Sequence, residues 1–70
     1  MIDICEIGRR IRRRRAYLDM TLDALSEKTG ISIATLSRIE DGYDSARIGD
    51  LNEVTKALGM ETIELFRRED

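Results

Sequence analysis

The chain has no proline, histidine or tryptophan, and a single cysteine, Cys5. Without histidine, an acid–base or nucleophilic centre would have to be assembled from carboxylates, lysine or tyrosine with no imidazole to help. One cysteine makes neither an intrachain disulfide nor a thiolate metal site. No catalytic constellation is visible, so neither an enzyme nor a metal or organic cofactor is expected. No apolar run approaches the roughly 20 residues needed to cross a bilayer. The opening MIDICEIG lacks the basic start and long apolar stretch of a signal peptide. The expectation is a soluble cytoplasmic protein with no membrane partner, in which Cys5 is a small buried or half-buried apolar residue.

The 70 residues suffice for one small domain spanning 1–70 with one core. The net charge of −2 exerts no global pull toward nucleic acid, but the charge is uneven. Residues 1–38 carry eight basic and five acidic side chains, whereas residues 39–70 carry four and nine. That division implies one basic and one acidic face. Six arginines crowd into residues 9–15, within IGRRIRRRRAYL.

Five glycines punctuate the chain. Periodicity predicts a first helix over 6–18. There Ile7, Ile11 and Leu18 fall within about 40° of one another on a wheel turning about 100° per residue. Arg9, Arg10, Arg12 and Arg13 fan around the remainder, and Arg14 falls on the apolar side. A second helix follows in TLDALSEKTG, with Thr21 as N-cap, Asp23 in the first turn and Gly30 in the left-handed closing position. Ser32 caps a third helix over about 33–41, ended by Gly42. Ile48, Leu51, Val54 and Leu58 set a fourth over 48–58, closed by Gly59. A short fifth over 61–67 carries Ile63, Leu65 and Phe66. Strand alternation is absent, so the fold class is all-α, a compact bundle of five short helices.

Between the second and third helices only the tight turn TGIS fits, which makes a helix-turn-helix. The third helix is apolar along a narrow stripe at Leu36 and Ile39. Its outward face carries Ala34, Ser37, Arg38 and Asp41, flanked by Ile33, and begins with residues small enough to enter a groove. Major-groove readout requires a helix of this kind, and the N–H groups opening the second and fourth helices suit phosphates.

The stretches IGRRIR, TLDALSEKTGISIATLSRIEDG, ALG and ELF together resemble the Cro/phage-repressor type of helix-turn-helix DNA-binding domain, over about residues 7–66. The resemblance implies a lambda-repressor-like fold. It also implies a small transcriptional regulator of the repressor kind, binding double-stranded DNA as a homodimer on pseudo-palindromic half-sites. By position, base contacts fall on Ile33, Ala34, Thr35 and Arg38. Phosphate contacts fall on Thr21, the Leu22 amide, Ser37, and Tyr43 and Arg47 in the loop. The resemblance also pairs Arg15 with Glu40 as a structural ion pair. Ile63, Leu65 and Phe66 either close the core or form a dimer surface.

Three departures stand out. Leu22 takes the place of a common glutamine. Ala46 stands where proline is frequent. Asp41 and Asp44 bring negative charge to the DNA side. Of the remaining arginines, Arg9, Arg10, Arg12 and Arg13 read as solvated surface or as a steering field, with Glu6–Arg10 a helix pair. Tyr17 reads as packing. A reading from another class is a protein-interaction module, such as an antitoxin or accessory regulator. It would dock a protein partner through the acidic C-terminal half.

Overall fold

The first three helices begin where a short polar side chain accepts from an amide the helix leaves unpaired. In the computed structural model, which describes residues 3–43 and 46–67, Asp3 accepts from the Glu6 N–H at 2.9 Å and starts α1, Ile4–Tyr17. Thr21 accepts from Ala24 N–H at 3.1 Å and starts α2, Leu22–Thr29. Ser32 accepts from Thr35 N–H at 3.2 Å and starts α3, Ile33–Glu40. The fourth helix, α4, Ile48–Ala57, follows Arg47 in extended conformation.

The helix ends are equally local. After α1, α3 and α4 one residue turns left-handed: Asp19 at φ 56°, Gly42 at 70° and Gly59 at 68°. At each end the following amide reaches back five residues. Met20 N–H donates to Arg15 O at 3.0 Å, Tyr43 N–H to Arg38 O at 2.9 Å and Met60 N–H to Thr55 O at 2.9 Å. These are Schellman closures. Gly30, at φ 75°, ends α2 with a single bond to Ser26 O at 2.8 Å.

The expected fifth helix is instead one 3-10 turn, Thr62–Leu65. Its bonds run over three residues, Glu64 N–H to Glu61 O and Phe66 N–H to Ile63 O, both 3.0 Å. Four residues give no room for a regular α ladder. The turn is tied to α4 by the Thr62 hydroxyl, 3.0 Å from that of buried Thr55. Leu65 is fully buried, which resolves its two readings in favour of core closure, while Ile63 and Phe66 stay exposed.

The core joins Ile7 and Ile11 of α1, Leu25 of α2, Leu36 and Ile39 of α3, Leu51 and Val54 of α4, and Leu58 and Leu65. α3 packs on both α1 and α2, and α2 packs on α4. Four expectations about single residues change. Leu18 lies beyond the last turn of α1 and is exposed rather than a core anchor. Ile48 opens α4 and is 61% exposed, because the first turn projects past the core. Cys5 is exposed, on the first turn of α1. Tyr17 is exposed, with Arg14 over its ring at 5.2 Å from the centroid. Among the described residues no helix is long and apolar enough to cross a membrane, and no group of side chains is arranged to hold a metal ion.

Candidate nucleic-acid interface

The exposed face of α3 is built by what its buried face is fixed to. Leu36 and Ile39 point into the core, which leaves Ile33, Ala34, Thr35 and Arg38 exposed. The face opens with Ala34, so backbone can approach a flat or grooved partner closely. The Thr35 hydroxyl lies 2.8 Å from Ser32 Oγ and accepts from it, which leaves the Thr35 hydroxyl proton to donate outward. Arg38, in the last turn, lies over the Tyr43 ring, 5.1 Å from its centroid.

Around this face stand the residues expected at phosphates. Thr21 is exposed at the start of α2, where its hydroxyl oxygen accepts from the Ala24 N–H and the hydroxyl can still donate. Leu22 is half-buried against the core, so only its amide can face a phosphate. Ser37 is half-buried, whereas Tyr43 and Arg47 are exposed. Asp44, expected to bring negative charge here, lies outside the described residues, as does Ser45 of the same loop.

α3 ends in two carboxylates, Glu40 and Asp41, at the negative end of its dipole, where anions are disfavoured. Two arginines of α1 offset them. Arg15 donates to both Glu40 oxygens, Nε to Oε2 at 2.7 Å and Nη2 to Oε1 at 2.9 Å, and its Nη1 donates to Met20 O at 2.9 Å. Arg12 donates to Glu40 Oε1 at 3.2 Å and to Asp41 Oδ1 at 2.5 Å. The carboxylate bonds, Asp41 first for Arg12 and Glu40 for Arg15, raise both guanidinium pKa values above their ordinary value. The negative charge expected at Asp41 is therefore paired rather than presented.

The surface reading of the arginine run holds for Arg9, Arg12 and Arg13, which are exposed, and is corrected for Arg10. Arg10, only 9% exposed, donates to Glu6 at 3.3 Å and to Glu64 O at 3.0 Å, joining α1 to the 3-10 turn. Arg9 pairs with Glu6 as well, and its hydrogen bond is the leading cause that holds the Glu6 carboxyl below its ordinary pKa of 4.5. Arg14 falls on the apolar side because its Nε, 3.0 Å from Leu58 O, caps the end of α4. Periodicity cannot reveal that partner, which is 44 residues distant.

Residues 6–67 match the helix-turn-helix domain family. The chain belongs to that family. Two relatives from Sinorhizobium fredii carry the description uncharacterized HTH-type transcriptional regulator. The one called y4wC is 32% identical over 60 residues, covering 86% of this chain and 42% of its own length. The one called y4aM is 35% identical over 52 residues, covering 74% and 36%. The chain thus spans less than half of either relative. Among solved structures, the restriction-modification controller protein C.AhdI of Aeromonas hydrophila superposes with a TM-score of 0.86 at 22% identity, over 90% of this chain and 96% of its own. A SinR–SinI protein complex gives a TM-score of 0.83 at 30% identity, over 89% of this chain and 61% of the matched one. The four α-helices of the described residues, with their helix-turn-helix, thus make a repressor-like fold.

Proposed function

We propose that this chain binds double-stranded DNA sequence-specifically as a small transcriptional regulator, a repressor acting as a homodimer with α3 in the major groove. The observation that carries the reading is the exposed face of Ile33, Ala34, Thr35 and Arg38, on a helix whose end is braced by Arg12 and Arg15. In this reading Arg38 contacts a guanine edge, worth roughly 1–3 kcal/mol of discrimination. Ile33 and Ala34 meet thymine methyls, and Thr35 donates to a base. Thr21, the Leu22 amide, Ser37 and Arg47 face phosphates. Exposed Ile63 and Phe66 supply the apolar dimer surface.

Selection of bound sequences from a random DNA pool tests this. The expected consensus is two-fold symmetric, with half-sites about 34–36 Å apart. Enrichment of no sequence, or affinity independent of salt, would defeat the reading, since neutralised phosphates release counterions.

A second reading is favoured by an apolar trough lined by Ile4, Ile7, Ile39, Ala46, Ile48, Leu51 and Phe66. It makes the chain a protein-interaction module, such as an antitoxin or accessory regulator, which docks a protein partner. A stoichiometric protein complex with no shift of any DNA would favour it.

A further inference from the structure

The Schellman closure of α3 does more than end the helix. Gly42 N–H donates to Ile39 O at 3.1 Å and Tyr43 N–H to Arg38 O at 2.9 Å. This pattern brings the side chains at the two ends of the longer bond together, and that pair is usually apolar. Here the pair is Arg38 and Tyr43, with the guanidinium carbon 5.1 Å from the ring centroid. The backbone that joins them is narrowly defined. Gly42 holds φ 70°, and a Cβ there would lie 2.8 Å from both Cα and Sγ of Cys5. The ring is therefore seated beside Arg38 by main-chain bonds and by the packing of α1 against the loop.

We propose that Tyr43 is a positioning residue that sets the direction of the Arg38 guanidinium and thereby the base preference at the C-terminal end of α3. The inference rests on the reading of Arg38 as a base contact and deepens it. One turn back on the same face, Ala34 and Thr35 are too short to brace a guanidinium. The ring of Tyr43 reaches it and braces the guanidinium by its face. The ring, not the hydroxyl, performs this role. That separates it from the phosphate contact otherwise expected of Tyr43.

The test uses the full chain and its Y43A, Y43F and R38A variants, with thermal melts to establish that each folds. The wild-type consensus identifies the base pair at which R38A relaxes preference. Y43F should retain wild-type discrimination there. Y43A should lose roughly fivefold at that base pair alone, with an unchanged salt slope. In the free protein, the Arg38 δ protons should show a ring-current shift that disappears in Y43A and survives in Y43F. Uniform weakening with a smaller salt slope in both Y43F and Y43A would assign the hydroxyl to a phosphate and overturn the proposal. Y43A discrimination equal to wild type would overturn it as well. Wild-type protein that enriches no DNA would instead defeat the DNA reading, and the inference with it, even if the ring-current shift is present.

Discussion

The guanidinium of Arg15 meets the Glu40 carboxylate with two of its nitrogens, at 2.7 and 2.9 Å. Glu40 is 3% exposed, so this pair is desolvated and sits at the junction of α1 and the end of α3. A buried pair of this kind is costly to break because the survivor is left unpaired. Glu40→Ala would strand Arg15 and remove one of the two bonds of Arg12. It should destabilise by about 3 kcal/mol, and Arg15→Ala by a similar amount. Replacing both with apolar residues, Arg15→Met with Glu40→Leu, should recover much of the loss. Urea unfolding of the four proteins checks the cycle. A double variant that loses as much as the two single losses together would contradict a direct pair.

Gly8 packs against the other side of the same junction. A Cβ there would lie 2.4 Å from Glu40 O and 2.5 Å from Ile39 O, both main-chain atoms that cannot swing aside. Gly8→Ala should therefore cost about 2 kcal/mol through displacement of α3, although alanine is the better helix former by about 1 kcal/mol. Gly49 in α4 is the control, because nothing lies within 4 Å of its added Cβ. Gly49→Ala should stabilise by about 0.5 kcal/mol. Equal effects of the two substitutions would show that α1 does not approach α3 so closely.

Asp19 holds φ 56° at the Schellman closure of α1, where the other two such closures use Gly42 and Gly59. A left-handed L-residue is disfavoured by about 1–2 kcal/mol, less for aspartate, and glycine offsets part of its own gain through greater freedom in the unfolded chain. Asp19→Gly should stabilise by about 0.5 kcal/mol, a rise of roughly 2–4 °C in Tm for a domain of this size. A fall in Tm would mean that the aspartate side chain contributes more than its backbone costs.

The features legible in the sequence are those fixed within one turn of chain. Thr21 and Ser32 cap their helices, and Gly30, Gly42 and Gly59 end theirs, because each bond spans only a few residues. The exposed face of α3 was legible for the same reason, since Leu36 and Ile39 determine which side turns inward. Asp19 was missed because aspartate carries no strong left-handed signal. Leu18 and Ile48 were misplaced because a helical wheel shows direction around the axis but not where the core stops. Arg10 reads as surface, and the place of Arg14 on the apolar side has no explanation on the wheel, because their acceptors, Glu64 O and Leu58 O, lie far along the chain. Ion pairing of Asp41 by Arg12 was equally hidden, and it changes the charge presented beside α3.

Glu6 joins the first two arginines of the run, with Arg9 and Arg10 both bonded to its carboxylate. The Arg9 hydrogen bond leads the causes that depress its pKa below 4.5. A carboxyl whose pKa is lower in the folded state than in the unfolded state stabilises the fold above its unfolded pKa. That contribution is lost as pH falls through the folded value. Glu6→Gln should accordingly melt below wild type at neutral pH, and the gap should close as pH falls below the ordinary 4.5. Melting curves at pH values from neutral to acid check this, and added salt should narrow the neutral-pH gap because the carboxylate is solvent-accessible. A gap that persists undiminished in acid would assign the role of Glu6 to packing of its stem rather than to its charge.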